Sequence, residues 1–302
     1  MPRGIRSNFE YHVPADLGQA LEMLKQYGPD ARVIAGGTDL LPKVKAGVVE
    51  FGHLVSLKEL KELTAVRFDG SGALHIGATA RLGELERIPA LRERYPALWE
   101  GIHSMANTQI RNRGTVTGNI CNAVPSCDTA PALLVYDASV AVRSADGERT
   151  VPIGEFFTGV CRTCLKPEEL VTEIILPPND PRAVSVYYKY AIRKALDLAM
   201  VGVGSNVLLE DGAVKDARLA LGAVAIVPKR AFHAEEAILG RQLTPELIEQ
   251  AARIASQDDC RPISDIRATA DYRREMVRLL VRDALKLAAG IKIEGLNDEA
   301  EN

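Results

Sequence analysis

Val33-Ile34-Ala35-Gly36-Gly37-Thr38-Asp39-Leu40 is the stretch on which the reading of this chain turns. A short buried-strand pattern, Arg32 to Ala35, runs into two glycines and then into a hydroxyl and a carboxylate. Adjacent glycines let backbone N–H groups approach a phosphate with no Cβ in the way, and a nest of such donors suits a pyrophosphate. Gly-Gly by itself is equally what a tight turn between strand and helix needs, so the flanks carry the reading. Upstream, Asp16 can cap a helix, with Gln19 at the capping-box position and Leu17, Ala20, Leu21 and Leu24 on one face. Gly28-Pro29 stops it. Downstream, Leu40 to Val44 form an apolar segment ended by Gly47, His53 to Ser56 read as a strand, and Leu57 to Leu63 as a short helix. The opening is therefore β–α–β-like and spans roughly the first 56 residues.

A second unusual stretch is Arg113-Gly114-Thr115-Val116-Thr117-Gly118-Asn119-Ile120-Cys121-Asn122. Its small residues, hydroxyls and two asparagines suit neither a buried strand nor an amphipathic helix. It offers many donors over a short span, as a polyphosphate or adenine site requires, and exposed surface loops rarely carry so few charges. Between the two stretches, Ala73 to Ala78 alternates like a strand, and Arg81–Ile88 and Tyr95–Ser104 read as helices. Beyond the second, Thr129–Val135 reads as a helix, and Ser139–Arg143, Thr150–Pro152 and Leu170–Leu176 as strands. The run Pro177-Pro178-Asn179-Asp180-Pro181 is the best linker candidate. After it come three β-like stretches, Ser185–Tyr190, Val201–Glu210 and Ala217–Ala225. Asp211-Gly212 gives a hairpin signal in a loop expected to exceed two residues. Apolar stripes in Ala231–Leu239, Pro245–Gln257 and Ala268–Ala289 predict a helical tail. Gly202-Val203-Gly204 resembles a nucleotide fingerprint but fails, because position 207 is Val.

Composition narrows the function class. The 302 residues hold 37 Lys+Arg against 40 Asp+Glu, a net charge of −3, which speaks against a dedicated nucleic-acid binder. The longest apolar stretch, Leu219 to Val227, is far short of a membrane span. The N-terminal residues include two arginines and no apolar h-region, so a cytoplasmic protein is expected rather than a secreted one. Five cysteines, an odd number, suggest reduced thiols. Cys161 and Cys164 form a C-x-x-C, and Cys121 and Cys127 a wider pair. Four thiolates could hold an iron–sulfur cluster if the fold gathered them, but nothing in the spacing forces this and packing thiols are the preferred reading. The five histidines show no zinc-site spacing.

The two stretches together, with Ala123, Pro125, Ser126 and Asp128 following the second, resemble the FAD-binding medium subunits of the molybdenum hydroxylases, the xanthine dehydrogenase and carbon monoxide dehydrogenase type. The similarity continues through Leu165 to Val171 and Tyr188 to Lys194 and covers essentially the whole chain. It implies an α+β protein: an FAD-binding region of two α/β subdomains at 1–177, divided near 56, then a C-terminal domain at 182–290 with a three-stranded antiparallel sheet and a helical bundle, and a tail at 291–302.

For the site, the resemblance puts a pyrophosphate loop on Val33, Ile34, Ala35, Gly36, Gly37, Thr38, Asp39 and Leu40. A second FAD loop falls on Thr115, Val116, Thr117, Gly118 and Asn119, with Asp128 beyond it. It also implies a flavin contact from a helix end at Met105, a hydrophobic neighbour at Val171 and a lysine at Lys189. A cation there could stabilise negative charge on a reduced flavin, whereas without the resemblance Lys189 would read as a solvated surface lysine. Three departures stand out. The usual Gly-Gly of the second loop is Thr117-Gly118. The acidic position that helps place NAD in some relatives is Leu196, with Asp197 next to it. The cluster-bearing insertion of other relatives is not visible.

The implied function is electron transfer within a complex. Substrate is oxidised at a molybdenum cofactor on a large subunit, electrons pass through [2Fe–2S] centres on a small subunit to FAD on this chain, and they leave to NAD or another acceptor. No residue of this chain is expected to act as a catalytic acid or base. A stand-alone FAD oxidoreductase and a non-catalytic assembly subunit are the alternatives. The first lacks a substrate-binding insertion and a first-loop histidine for covalent flavin. The second sits poorly with the retained Gly36-Gly37 and Asn119.

Overall fold

The computed structural model describes residues 8–193 and 196–293. Lys194, the last residue of the quoted resemblance, and the tail from 294 onward lie outside the described residues. The chain forms two compact units. The first takes in the residues up to Arg87, Asn107–Ala123 and Asp137–Pro178, and the second takes in Ile88–Ala106, Val124–Tyr136 and the chain from Asn179 on. Two segments of the first 177 residues therefore pack with the C-terminal part, across the boundary expected at the Pro-rich run.

The first unit opens with strands β1 (Glu10–His12), β2 (Ala31–Ile34) and β3 (His53–Ser56), in the order β1-β3-β2 and parallel throughout. The helix Leu17–Tyr27 crosses from β1 to β2. Asp16 Oδ1 accepts its Gln19 N–H at 2.8 Å, and Leu17, Ala20, Leu21 and Leu24 form its buried face. That face shares a core with Val55, Leu57, Leu60 and Leu63. The helix Leu40–Lys45 crosses from β2 to β3, and Val44 joins Ile34, Phe51 and Leu54 in a second core. The short helix expected over Leu57 to Leu63 is formed only in part. Leu60 N–H bonds Leu57 O and Leu63 N–H bonds Leu60 O, so the leucines repeat every three residues and only Lys61–Leu63 is helical, as a 3₁₀ turn.

An antiparallel sheet completes this unit. It comprises β4 (Val66–Phe68), β5 (Leu74–Gly77), β6 (Ser139–Ser144), β7 (Gly147–Pro152) and β10 (Leu170–Leu176), in the order β4-β5-β10-β6-β7. The hairpin β8 (Phe157–Gly159) and β9 (Arg162–Thr163) lies apart from it.

The second unit holds an antiparallel sheet of β11 (Val184–Tyr190), β12 (Val201–Glu210), β13 (Ala213–Gly222) and β14 (Lys229–Arg230). The expected three strands gain a two-residue fourth, paired with Ala220 and Leu221. The β12–β13 loop is Asp211-Gly212 alone, both at positive φ (+53° and +81°), as a type I′ hairpin requires. It is tighter than expected because β13 starts at Ala213, where the polar Lys215 and Asp216 hide the strand pattern. One face of the sheet packs Val201, Val203, Leu219 and Leu221 against the helices Phe232–Ile238, Pro245–Ile254 and Ala270–Ala288. The other face carries the wholly buried helix Thr129–Val135. Its Pro131 explains two glycines: a Cβ on Gly204 would lie 2.8 Å from Pro131 O, and one on Gly222 would lie 2.9 Å from Pro131 Cγ. Among the described residues no helix is long and apolar enough to cross a membrane.

Candidate functional site

In the first unit, Gly36 and Gly37 leave the carboxyl end of β2, the end at which parallel α/β sheets bind ligands. A Cβ on Gly36 would lie 2.2 Å from Arg113 O and 2.9 Å from Gly114 Cα. The two unusual stretches of sequence thus meet backbone to backbone, and this contact requires glycine. Thr38 joins the same contact, its Oγ1 lying 3.6 Å from where a Gly114 Cβ would be. Gly37 has φ +75°, and its carbonyl accepts Leu41 N–H at 3.1 Å as the next helix begins. Val33, Ala35 and Leu40 are half-buried, Ile34 is buried and Asp39 is exposed.

The second stretch is a helix, Val116–Asn122, where sequence reading expected a loop. Thr115 Oγ1 caps it by accepting Gly118 N–H at 2.8 Å, and Asn119 N–H bonds Thr115 O at 3.0 Å. Its helical character was masked because Gly118 and β-branched Val116 and Thr117 are poor helix formers, while its seven residues are too few to display a stripe. Ala123, at φ +50°, ends it. Lys43 Nζ donates to Asn122 Oδ1, tying this helix to Leu40–Lys45. Thr117 Oγ1 is buried with no hydrogen-bond partner, a cost that a bound polar group would remove. Val171 is buried in β10 beside a register shift against β6.

In the second unit, Lys189 Nζ donates to Asp128 Oδ2 at 2.8 Å and to Ser104 O at 3.2 Å, while Tyr187 Oη donates to Asp128 Oδ1 at 2.9 Å. The Lys189 and Asp128 side chains are only 10% and 7% exposed, so Lys189 is a buried ion-pair partner and not a solvated lysine. Burial pushes the Asp128 carboxyl up from its ordinary range, and the Lys189 ammonium and Tyr187 hydroxyl pull it back. Tyr187 was missed by sequence reading, although its two-residue spacing from Lys189 puts both on one face of β11. It also accounts for Gly202, where a Cβ would lie 2.7 Å from Tyr187 Oη. Glu100, on the helix Pro96–His103, accepts Tyr187 N–H at 2.6 Å, and burial pushes its carboxyl up to about 7. Met105 is buried just past the end of that helix. Ser104, Lys189, Tyr190, Ile192, Arg193 and Asp197 line a cleft of about 230 Å³.

The four cysteines considered as cluster ligands take different environments. Cys121 and Cys161 are exposed, Cys164 is half-buried, and Cys127 is buried with its thiol pushed up to about 12 by that burial. Among the described residues, the one group of three potential metal ligands in mutual reach is Glu10, His12 and His53.

Comparison with known proteins gives one answer along the whole chain. The profile of the FAD binding domain in molybdopterin dehydrogenase matches residues 7–179, and that of the CO dehydrogenase flavoprotein C-terminal domain matches residues 186–288. The carbon monoxide dehydrogenase medium chain of Hydrogenophaga pseudoflava is 34% identical over 284 residues, 94% of this chain and 98% of that protein. The xanthine dehydrogenase FAD-binding subunit of Escherichia coli is 32% identical over 288 residues, with the same coverage. Among solved structures, carbon monoxide dehydrogenase from Hydrogenophaga pseudoflava lacking the Mo-pyranopterin moiety of its cofactor matches with a TM-score of 0.91 and 34% identity over 95% of this chain and 99% of that one. Quinoline 2-oxidoreductase from Pseudomonas putida 86 matches with a TM-score of 0.87 and 28% identity over 93% of this chain and 97% of that one.

Proposed function

The chain belongs to the family of FAD-binding subunits of the molybdenum hydroxylases, and we propose that it serves as the electron-transfer flavoprotein of such a complex. Its partners would be a [2Fe–2S] subunit and a large subunit carrying the molybdenum cofactor, and the final acceptor would be NAD or another oxidant. The observation that supports this best is the Gly36-Gly37 turn at the carboxyl end of β2, seated on Arg113 and Gly114 ahead of the capped helix Val116–Asn122.

These residues fit a dinucleotide. Two adjacent glycines expose backbone donors, and the buried Thr117 hydroxyl has no partner of its own. FAD, when bound, would supply the redox chemistry that this chain's side chains lack, exchanging electrons between one-electron centres and a two-electron acceptor. The chain's own part is to bind and orient. The first-loop residues 33–40 and Thr115, Val116, Thr117, Gly118 and Asn119 would hold the pyrophosphate side. In the second unit, Asp128 and Tyr187 fix the Lys189 ammonium at the wall of the cleft, where a cation favours a neighbouring negative charge. Met105 and Val171 would offer apolar contact.

The purified chain should carry FAD non-covalently and release it on acid treatment. Flavin retained by the denatured protein, or FMN in its place, would contradict the proposal. Co-expression should recover the iron–sulfur and molybdenum subunits with this chain. Substrate oxidation by the isolated chain would show it to be a stand-alone enzyme instead.

A further inference from the structure

We propose that Glu10, His12 and His53 form a binding site for a divalent transition metal of the zinc class. Strand geometry gathers the three side chains. Glu10 and His12 are two residues apart on β1 and so share a face, and His53 is paired with Glu10 across the parallel β1–β3 ladder. His12 Nε2 lies 3.0 Å from His53 Nδ1, and Glu10 Oε2 lies 3.8 Å from the first and 3.6 Å from the second. An ion bound tetrahedrally at about 2.0–2.1 Å holds its ligand atoms about 3.3 Å apart. The three observed separations bracket that value, so shifts of a few tenths of an ångström would complete the site.

The two rings are held in place. Tyr27 stacks on His53 with centroids 3.7 Å apart, and on His12 at 5.1 Å. The imidazoles are 15% and 21% exposed and the carboxylate 73%, which leaves a fourth position open to solvent. Two imidazoles and one carboxylate select zinc, cobalt or nickel over calcium or magnesium, which prefer all-oxygen shells. The site lies where β3 begins, opposite Ala31 at the start of β2, so it is at the other end of the sheet from the Gly36-Gly37 turn. β1 is only three residues long and pairs with β3 alone. An ion shared by both strands would fasten this first strand to the sheet, a structural role independent of the flavin.

Cobalt(II) chloride titrated into the full, EDTA-treated chain tests this. One ion should bind with the visible bands of a four-coordinate nitrogen–oxygen site, without thiolate charge-transfer bands, and zinc(II) should displace it. His53→Gln should weaken binding at least tenfold. Glu10→Gln, on an exposed side chain whose loss leaves the fold in place, should weaken it several-fold, so a folding failure of the histidine variant would not spare the proposal. Absence of binding, bands assigning the ion to cysteines, or binding unchanged in Glu10→Gln would overturn it.

Discussion

Gly36 and Gly37 are glycines for different reasons, and substitution separates them. At Gly36 a methyl group would meet backbone, Arg113 O at 2.2 Å, so Gly36→Ala must push the first loop off the second stretch. FAD content of the purified variant, read from its absorbance, should fall at least tenfold. At Gly37 the constraint is φ +75° together with Ile34 Cδ1 at 2.8 Å from a Cβ, so Gly37→Val should lose FAD as well. Gly47 is the control: φ is +69° with nothing within 4 Å, so Gly47→Ala should cost only about 1–2 kcal/mol of stability and keep FAD. The Lys189–Asp128 pair makes a second test. Removing one partner of a buried pair leaves the other charge uncompensated, at about 3–5 kcal/mol. Lys189→Met should therefore lower the urea midpoint sharply, and adding Asp128→Leu should recover part of the loss.

At the scale of elements, Thr115→Ala removes the cap of Val116–Asn122 and should cost about 1 kcal/mol, whereas Thr115→Ser should retain it. Glu100 couples the helix Pro96–His103 to β11 and gives a pH signature. Its carboxyl sits near 7 in the folded chain against an ordinary 4.5, so the folded state holds the proton more tightly than the unfolded state. Its contribution to stability therefore falls as pH rises from about 4.5 to about 7 and stays flat above. Glu100→Gln can still accept Tyr187 N–H through its amide oxygen. It should flatten that decline and raise the urea midpoint at pH 8 relative to the parent. Legibility in the sequence followed local signal. The helix Leu17–Tyr27 could be read because its cap and its stripe agree, and the hairpin at Asp211-Gly212 because only a few residue pairs suit two positive φ angles, although its two-residue length could not. The helix Val116–Asn122 could not, because Gly118 and the β-branched Val116 and Thr117 are poor helix formers and seven residues are too few to show a stripe, although Val116, Thr117 and Ile120 are buried. β14, two residues long, carries no pattern at all. Of the site, the glycine loops were visible as composition. The Tyr187–Asp128–Lys189 network and the Glu10–His12–His53 cluster join residues 59 and 41 positions apart, a proximity that spacing cannot show.

The whole molecule crosses between its two units at 87, 106, 123, 136 and 178, so a cut at the Pro-rich run, where one matching profile gives way to the other, passes through the second unit. Segments 88–106 and 124–136 precede that run but belong with the C-terminal sheet. Helix Thr129–Val135 is buried along its length on β12 and β13, and Glu100 holds the β11 backbone from helix Pro96–His103. A fragment ending at residue 178 would keep both helices and lose the sheet they cover. It would expose Pro131 and the rest of the helix face seated on β12 and β13, an apolar surface that favours aggregation. The complementary fragment 179–302 would uncover the other side of the same sheet, with Gly204 and Gly222 left open where Pro131 had been seated. Expressed separately, both fragments should be insoluble or lack a cooperative urea transition. Co-expressed, they should associate and regain FAD, because every packing face then finds its partner. A fragment 1–178 that is monomeric and cooperatively folded on its own would overturn this reading, because segments 88–106 and 124–136 would then not depend on the C-terminal sheet with which they pack.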